Sequence, residues 1–212
     1  MVAVVTRTVW LRDGARVRLR PIRPDDKHLL VRGFERLSED SRYRRFFTPM
    51  SELRPAQLEY LTEVDHHDHE AVVALDDHGE PVGVARYVRS ASEPDAAETA
   101  VAVVDDWQGR GVGRALLNRL ANRARQEGIR RFTAHVQADN HAALELIGGG
   151  PLTERSRAGS ELQLVMTLPR RGLGAQLASA LHAAAAGSLK AAGAMLPGPG
   201  VTRAGQDRDR ED

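Results

Sequence analysis

The stretch ETAVAVVDDWQGRGVGRALLNRLANRA, residues 98–124, decides the fold of this chain. Its first part is rich in Val and Ala and predicts a β-strand over 98–104. Its last part predicts a helix over 111–125, because apolar residues recur there every three or four positions. The linking segment holds glycines at 109, 111 and 113. A strand therefore leads through a glycine-rich turn into a long helix.

Such a turn is suited to binding a pyrophosphate. It presents several backbone N–H groups in one direction, and the helix N-terminus adds a positive partial charge. Glycine permits close approach of a ligand to the backbone and tolerates positive φ. The order GRGVGR over 109–114 is not the dinucleotide-binding pattern G-x-G-x-x-G, and no Gly-Lys-Ser/Thr follows as in a P-loop. Two common nucleotide-binding classes are thereby disfavoured.

The flanking sequence predicts further strands and helices. ARVRLRPI (15–22) alternates like a strand, and amphipathic helices begin at Pro24 and Pro55. AVVAL and PVGVARYV form a hairpin, and a strand, a short helix and a terminal hairpin follow the long helix, as IRRFTAHV, NHAALELI and residues 152–168. This order predicts a mixed sheet with helices on both faces.

Composition divides the chain into three parts. Residues 1–14 form an N-terminal lead, 15–168 carry the folded domain, and 169–212 are dominated by Ala and Gly before a polar end. The last part predicts a partly disordered tail with a weak helix.

Charge and composition exclude several classes of function. The chain has 212 residues and a formal net charge of +1, but segments 1–60, 61–106 and 107–168 carry net charges of +5, −10 and +4. The acidic middle disfavours a nucleic-acid partner. With no cysteine, a thiolate metal site and a cysteine nucleophile are excluded. No apolar run is long enough to cross a membrane, so a cytoplasmic protein is the default expectation.

Three histidines in VDHHDH, residues 64–69, allow a metal hypothesis. Their spacing matches neither a helical H-x-x-x-H nor a zinc-finger pattern. A solvated helix end before a strand is the favoured interpretation, and no metal is expected.

The residues DDWQGRGVGRALL resemble the acetyl-CoA signature Q/R-x-x-G-x-G/A of the GCN5-related N-acetyltransferases, the GNAT family, with Gln108, Gly111 and Gly113 at the signature positions. The resemblance covers 15–168 and implies an α/β (α+β) fold with a mixed, mostly antiparallel sheet of six or seven strands. DGARVRLRPIRPDD and LSEDSRYRRFF are in addition similar to bacterial protein lysine acetyltransferase domains.

The resemblance also implies roles for individual residues. Backbone groups at Val103 and Val104 would pair with pantetheine, and Asn140 would lie near the pantetheine arm. Asn140 is equally well explained as a helix cap. The pyrophosphate would be held by the turn residues Gln108, Gly109, Arg110, Gly111, Val112, Gly113 and Arg114.

Glu98 is the candidate catalytic base. An amine must lose a proton before it can attack a thioester, since the reference pKa of lysine is about 10.4. A carboxylate at the start of the strand can accept that proton directly or through a water. The alternative is an ordinary strand-end glutamate. Members of the family often carry an acid, Tyr, where this chain has Ile147.

These expectations define an acyl-CoA-dependent N-acyltransferase. It would move an acetyl group from acetyl-CoA, its co-substrate, to a protein lysine or a small amine by direct attack in a ternary complex. The alternative is a non-catalytic module that senses or binds acyl-CoA. No nucleic-acid or membrane partner is expected, and the oligomeric state stays open, with a homodimer among the alternatives.

Overall fold

The computed structural model describes residues 6–148 and 152–168, which form eight strands and five α-helices. In chain order these are β1 Arg7–Trp10, β2 Arg16–Pro21, α1 Lys27–Glu35, α2 Glu39–Phe46, α3 Pro55–Thr62, β3 His69–Leu75, β4 Pro81–Arg89, β5 Ala96–Val103, α4 Val112–Gln126, β6 Arg131–Gln137, α5 His141–Gly148, β7 Leu152–Ala158 and β8 Glu161–Thr167. Short 3-10 turns precede α1 and follow β5, at Pro24–Asp26 and Asp105–Trp107.

The strands form one sheet in the order β1-β2-β3-β4-β5-β6-β8-β7. Neighbouring strands of the described chain are antiparallel except β5 and β6, which run parallel. This parallel pair is short, because Ala96–Glu98 of β5 pair with Arg131–Thr133 of β6 and the pairing then stops. Beyond that point each strand stays paired with its other neighbour, so β5 and β6 separate toward their carboxyl ends.

Helices cover both faces of the sheet. Helix α4 packs against β3, β4 and β5, and its buried Leu116 and Leu120 belong to the main hydrophobic core. On the other face α1 packs against β4 and α2 against β5, over a smaller core around Ile22, Leu30 and Ala71. Every residue of β3 except the first is buried, as expected for a strand covered on both faces.

The predicted fold class is confirmed, but the sheet has eight strands in the described residues rather than six or seven. The additional strand β1 lies in the predicted lead. It is an edge strand with largely exposed side chains, so it carries no hydrophobic alternation that could reveal it.

Helix α2 was likewise not predicted as a helix. None of its residues is buried, so it lacks an apolar stripe; Ser38 caps it by accepting a hydrogen bond from the backbone N–H of Ser41 at 3.2 Å. The predicted tail over 169–212 lies outside the described residues. In the part that is described, no helix is long and apolar enough to cross a membrane.

Candidate active site

The separation of β5 from β6 opens a cleft of about 590 Å³. Glu98 lies where the two strands still pair, and the glycine-rich turn lies at the far end of β5. Helix α2 borders the same cleft, as does the start of α5. Of the predicted site residues, the cleft lining contains Glu98, Val103, Gln108, Gly109, Gly111, Gly113, Arg114 and Asn140.

The glycine-rich turn has the backbone conformation that the sequence predicts. Gly109 and Gly111 have φ values of 72° and 100°, which side chains other than hydrogen rarely allow. A Cβ on Gly113 would lie 3.1 Å from the Leu146 Cδ2 atom, so glycine also lets α5 pack closely. The first N–H groups of α4 have no partner within the helix and point out of its N-terminus. The turn therefore offers free donors to an anion.

Two side chains of the signature stabilise the turn. The Gln108 side-chain amide donates to the Val103 carbonyl at 3.1 Å and reaches the Ser41 hydroxyl of α2 at 3.2 Å. The Arg110 guanidinium pairs with Asp13 at 2.5 Å and lies 4.0 Å above the Trp107 ring. Arg110 is not among the residues that line the cleft, and its ion pair with Asp13 connects the β1–β2 loop to the turn.

Val104 and Val112 are placed differently from the expectation for site residues. The Val104 N–H donates to the Val82 carbonyl at 3.1 Å, and its side chain is buried. Because backbone groups alternate along a strand, those of Val103 and Val101 point to the opposite side, toward β6. The Val112 side chain belongs to the core, so only its backbone is available to a ligand.

Asn140 serves as the cap that its position suggests. Its side-chain oxygen accepts a hydrogen bond from the Ala143 N–H at 3.1 Å at the start of α5. The same residue lines the cleft. Asn140 therefore has a structural role as a helix cap, and this role is compatible with a contact to pantetheine.

Glu98 is exposed and lies on the face of the sheet that α1, α2 and α3 cover, together with Arg86 of β4 and His69 of β3. Ile147, at the position where the family often has an acid, is buried but borders the cleft. Its aliphatic side chain cannot donate a proton.

Sequence reasoning missed the arginines that border the cleft. Arg12 lies in the β1–β2 loop, and Arg44 and Arg45 lie on α2. Neither segment was predicted as an element, so nothing in the sequence pattern placed these cations. Of the arginines in the cleft lining, Arg12 and Arg114 add positive charge that is favourable for a ligand with several phosphates.

The three histidines do not converge on one point. His66 contacts the buried Glu70 at 2.8 Å, His67 pairs with Glu127, and His69 contacts the Arg86 guanidinium at 2.9 Å. Within residues 6–148 and 152–168, no group of three or more His, Asp and Glu side chains could hold a metal ion.

Comparison with known proteins agrees with this geometry. The family model "Acetyltransferase (GNAT) family" matches residues 32–147. The chain is 38% identical over 140 residues to the acetyltransferase Pat of Mycolicibacterium smegmatis, covering 66% of this chain and 42% of that protein. It is 34% identical over 139 residues to an acetyltransferase of Pseudomonas aeruginosa, covering 64% of this chain and 74% of that protein. The chain thus spans less than half of the mycobacterial relative.

A solved structure is similar over almost its whole length. The crystal structure of the GNAT domain of S. lividans PAT superposes with a TM-score of 0.72 at 35% identity, covering 76% of this chain and 96% of that chain. The sequence signature, the opened strand pair and these matches agree. The chain belongs to the GNAT acetyltransferase family.

Proposed function

We propose that this protein is an N-acetyltransferase that moves an acetyl group from acetyl-CoA to a primary amine. The observation that carries the proposal is the cleft itself. One opening between β5 and β6 contains the anion-binding turn at one end and the Glu98 carboxylate at the other. A thioester and an amine can therefore meet within one cavity.

Acetyl-CoA would bind along the free edge of β5. The pyrophosphate would accept hydrogen bonds from the N–H groups at the start of α4, supported by the charges of Arg12 and Arg114. Pantetheine would pair with the backbone of Val101 and with the N–H of Val103, which β6 no longer engages. The Val103 carbonyl already accepts a hydrogen bond from Gln108. Asn140 would face the same arm.

Transfer would follow by direct attack. Glu98 would accept a proton from the ammonium group, directly or through a water, and the amine nitrogen would then bond to the thioester carbonyl carbon. The C–S bond breaks, the sulfur leaves as thiolate, and the second proton that the nitrogen loses on becoming an amide passes to this thiolate or to solvent. A thiol with a reference pKa of about 8.5 is a good leaving group, so Ile147 in place of an acid is compatible with turnover. No acyl-enzyme on cysteine can form, because the chain has no cysteine.

The acceptor would be a protein lysine or a small amine. The resemblance of residues 13–26 and 37–47 to bacterial protein lysine acetyltransferase domains supports a protein lysine. The second candidate function is a module that binds acyl-CoA without turnover. Its support is Ile147, which leaves the site without the usual acid.

The test is to follow free thiol while the protein is incubated with acetyl-CoA and a panel of lysine peptides and small amines. The proposal predicts thiol release that depends on an acceptor, with acetylated acceptor detected by mass spectrometry. Measurable CoA binding with no release above hydrolysis would instead support the binding module.

A further inference from the structure

Two arginines near Glu98, Arg45 and Arg86, form no ion pair with a carboxylate of the described residues. Arg86 of β4 is only 6% exposed. Its guanidinium contacts His69 Nε2 at 2.9 Å and donates to the Leu61 carbonyl at 3.0 Å. Burial and the Arg86 charge lower the pKa of His69 to about 4, so at pH 7 this imidazole is neutral and accepts the hydrogen bond. The Arg86 charge stays uncompensated.

Arg45 is the second of these cations, and it faces the cleft directly. Its guanidinium stacks 4.9 Å from the Phe46 ring. Across residues 6–148 and 152–168 it has no hydrogen bond and no ion pair, whereas the adjacent Arg44 pairs with Asp40 at 3.0 Å. Burial lowers the pKa of Arg45, and Glu98 opposes this effect through its charge without coming within ion-pair distance.

The position of α2 places Arg45 at the acceptor end of the cleft. Ser41, one turn earlier on α2, touches Gln108 beside the glycine-rich turn. Arg45 lies one turn further along α2 and lines the same cleft as Glu98. It also lines a small cavity together with Arg86, which pairs across the sheet with Ala100, two residues from Glu98. Arg45 is therefore displaced from the pyrophosphate end toward the proposed base.

A small cavity lies behind Arg45. It has a volume of about 60 Å³, and Arg45 and Arg86 both line it together with apolar side chains such as Phe34 and Leu61. Partly buried cations are costly unless an anion compensates them. The cavity wall and the cleft wall share Arg45, so an anion entering the cleft can reach it.

We propose that Arg45, supported by the charge of Arg86, binds a carboxylate carried by the amine acceptor. The preferred acceptor would then be an amine with a carboxylate close by, either its own or that of an acidic residue next to an acceptor lysine. This inference rests on the proposed acetyl transfer and specifies its substrate class.

The test compares acceptors that differ only in this charge. Nα-acetyl-lysine is paired with Nα-acetyl-lysinamide, and a peptide with Asp beside its lysine is paired with one that has Asn. With wild-type protein we expect kcat/KM to be at least about tenfold higher for the charged member of a pair, as for a charge-assisted hydrogen bond. The first pair reports on a free carboxylate and the second on an acidic side chain.

Arg45→Gln should remove the preference, so that kcat/KM becomes equal within about twofold for the charged and neutral members of each pair. Arg45→Lys should restore part of it. Arg32→Gln, which removes an exposed arginine paired with Glu80, serves as the matched control and should retain the full preference.

Three results would overturn the inference. Equal kcat/KM within both pairs would contradict it while leaving acetyl transfer intact. A preference that survives in Arg45→Gln would assign the carboxylate to another group. A tenfold weaker affinity of Arg45→Gln for CoA alone would assign the anion to CoA.

If no acceptor is turned over, calorimetric titration of the same pairs into the CoA-saturated protein tests the inference by binding alone. Tighter binding of the charged members that Arg45→Gln abolishes supports the inference, and equal dissociation constants contradict it.

Discussion

At the scale of single residues, Glu98 carries the chemical step of the proposed mechanism. Its carboxylate is exposed at the point where β5 and β6 part, so it can contact a substrate without disturbing the core. Its place on β5 is apparent from the sequence. The sequence does not predict that Arg86 and His69 lie on the same face of the sheet as Glu98, because this depends on the register of β3, β4 and β5.

Glu98→Gln tests the role of this carboxylate. The amide has the same shape but cannot accept the proton, so kcat should fall by roughly 100-fold or more. The dissociation constant for acetyl-CoA should stay within about twofold of wild type, because Glu98 lies away from the turn that we propose as the phosphate site. Steady-state kinetics and calorimetry measure the two quantities. Glu80→Gln, at a partly exposed position that does not line the cleft, is the control. An unchanged kcat in Glu98→Gln would remove Glu98 from the mechanism.

At the scale of elements, we expect the backbone conformation of the turn between β5 and α4 to determine how tightly CoA binds. Gly111→Ala should cost roughly 1–2 kcal/mol of stability, because the residue would have to adopt a φ of 100°. It should also raise the dissociation constant for CoA, since the N–H groups would be displaced. Thermal unfolding and CoA titration measure these effects.

Gly128→Ala is the matched control for this prediction. Gly128, at the end of α4, has a φ of 80°, and neither Gly128 nor Gly111 has an atom within 4 Å of an added Cβ. A similar loss of stability with unchanged CoA affinity is therefore expected. If both variants bound CoA as wild type does, the turn would not be the phosphate site.

A second element, the start of α1, is fixed to the sheet by one ion pair. Arg20 of β2 contacts both carboxylate oxygens of Asp26 at 2.6 and 2.7 Å, and the Arg23 N–H adds a bond at 2.8 Å. Asp26→Asn should destabilise the protein by roughly 3 kcal/mol, because it leaves a half-buried guanidinium without its partner. Asp77→Asn removes an exposed pair with Arg16 and should cost under about 0.5 kcal/mol in the same denaturant titration. Equal losses in the two variants would contradict this role.

The same pair predicts a dependence of stability on pH. Burial disfavours the Asp26 carboxylate, but the hydrogen bonds and charge of Arg20 and the Arg23 N–H outweigh this and lower the pKa of Asp26 below 3.8. The unfolded chain therefore binds the proton first as pH falls. The stabilisation is present above about pH 4 and is lost as pH falls through the lowered pKa. In Asp26→Asn this part of the acid transition should be absent from unfolding curves recorded between pH 5 and 2.

The elements also show what the sequence can and cannot predict. Strands β3 and β4 and helix α4 were predicted because their apolar residues recur at strand or helix spacing. Strand β1 and helix α2 were missed because they bury too little to leave a pattern. For the same reason Arg12 and Arg45, which these segments bring to the cleft, were not foreseen, whereas the residues of the glycine signature were.

At the scale of the whole molecule, the proposed mechanism requires the cleft to hold both substrates at once. Since no cysteine is available for an acyl-enzyme, initial rates with acetyl-CoA and acceptor both varied should give intersecting double-reciprocal lines. Parallel lines would indicate a covalent intermediate on another side chain and would contradict direct transfer.

The central claim is that acetyl-CoA occupies the opening between β5 and β6. A crystal structure of the protein with CoA tests it most directly. The account predicts pyrophosphate oxygens within hydrogen-bond distance of the N–H groups of residues 109–114, pantetheine paired with Val101 and Val103, and the sulfur directed toward the side of the cleft where Glu98 lies. CoA bound elsewhere on the chain, with this cleft empty, would contradict the account.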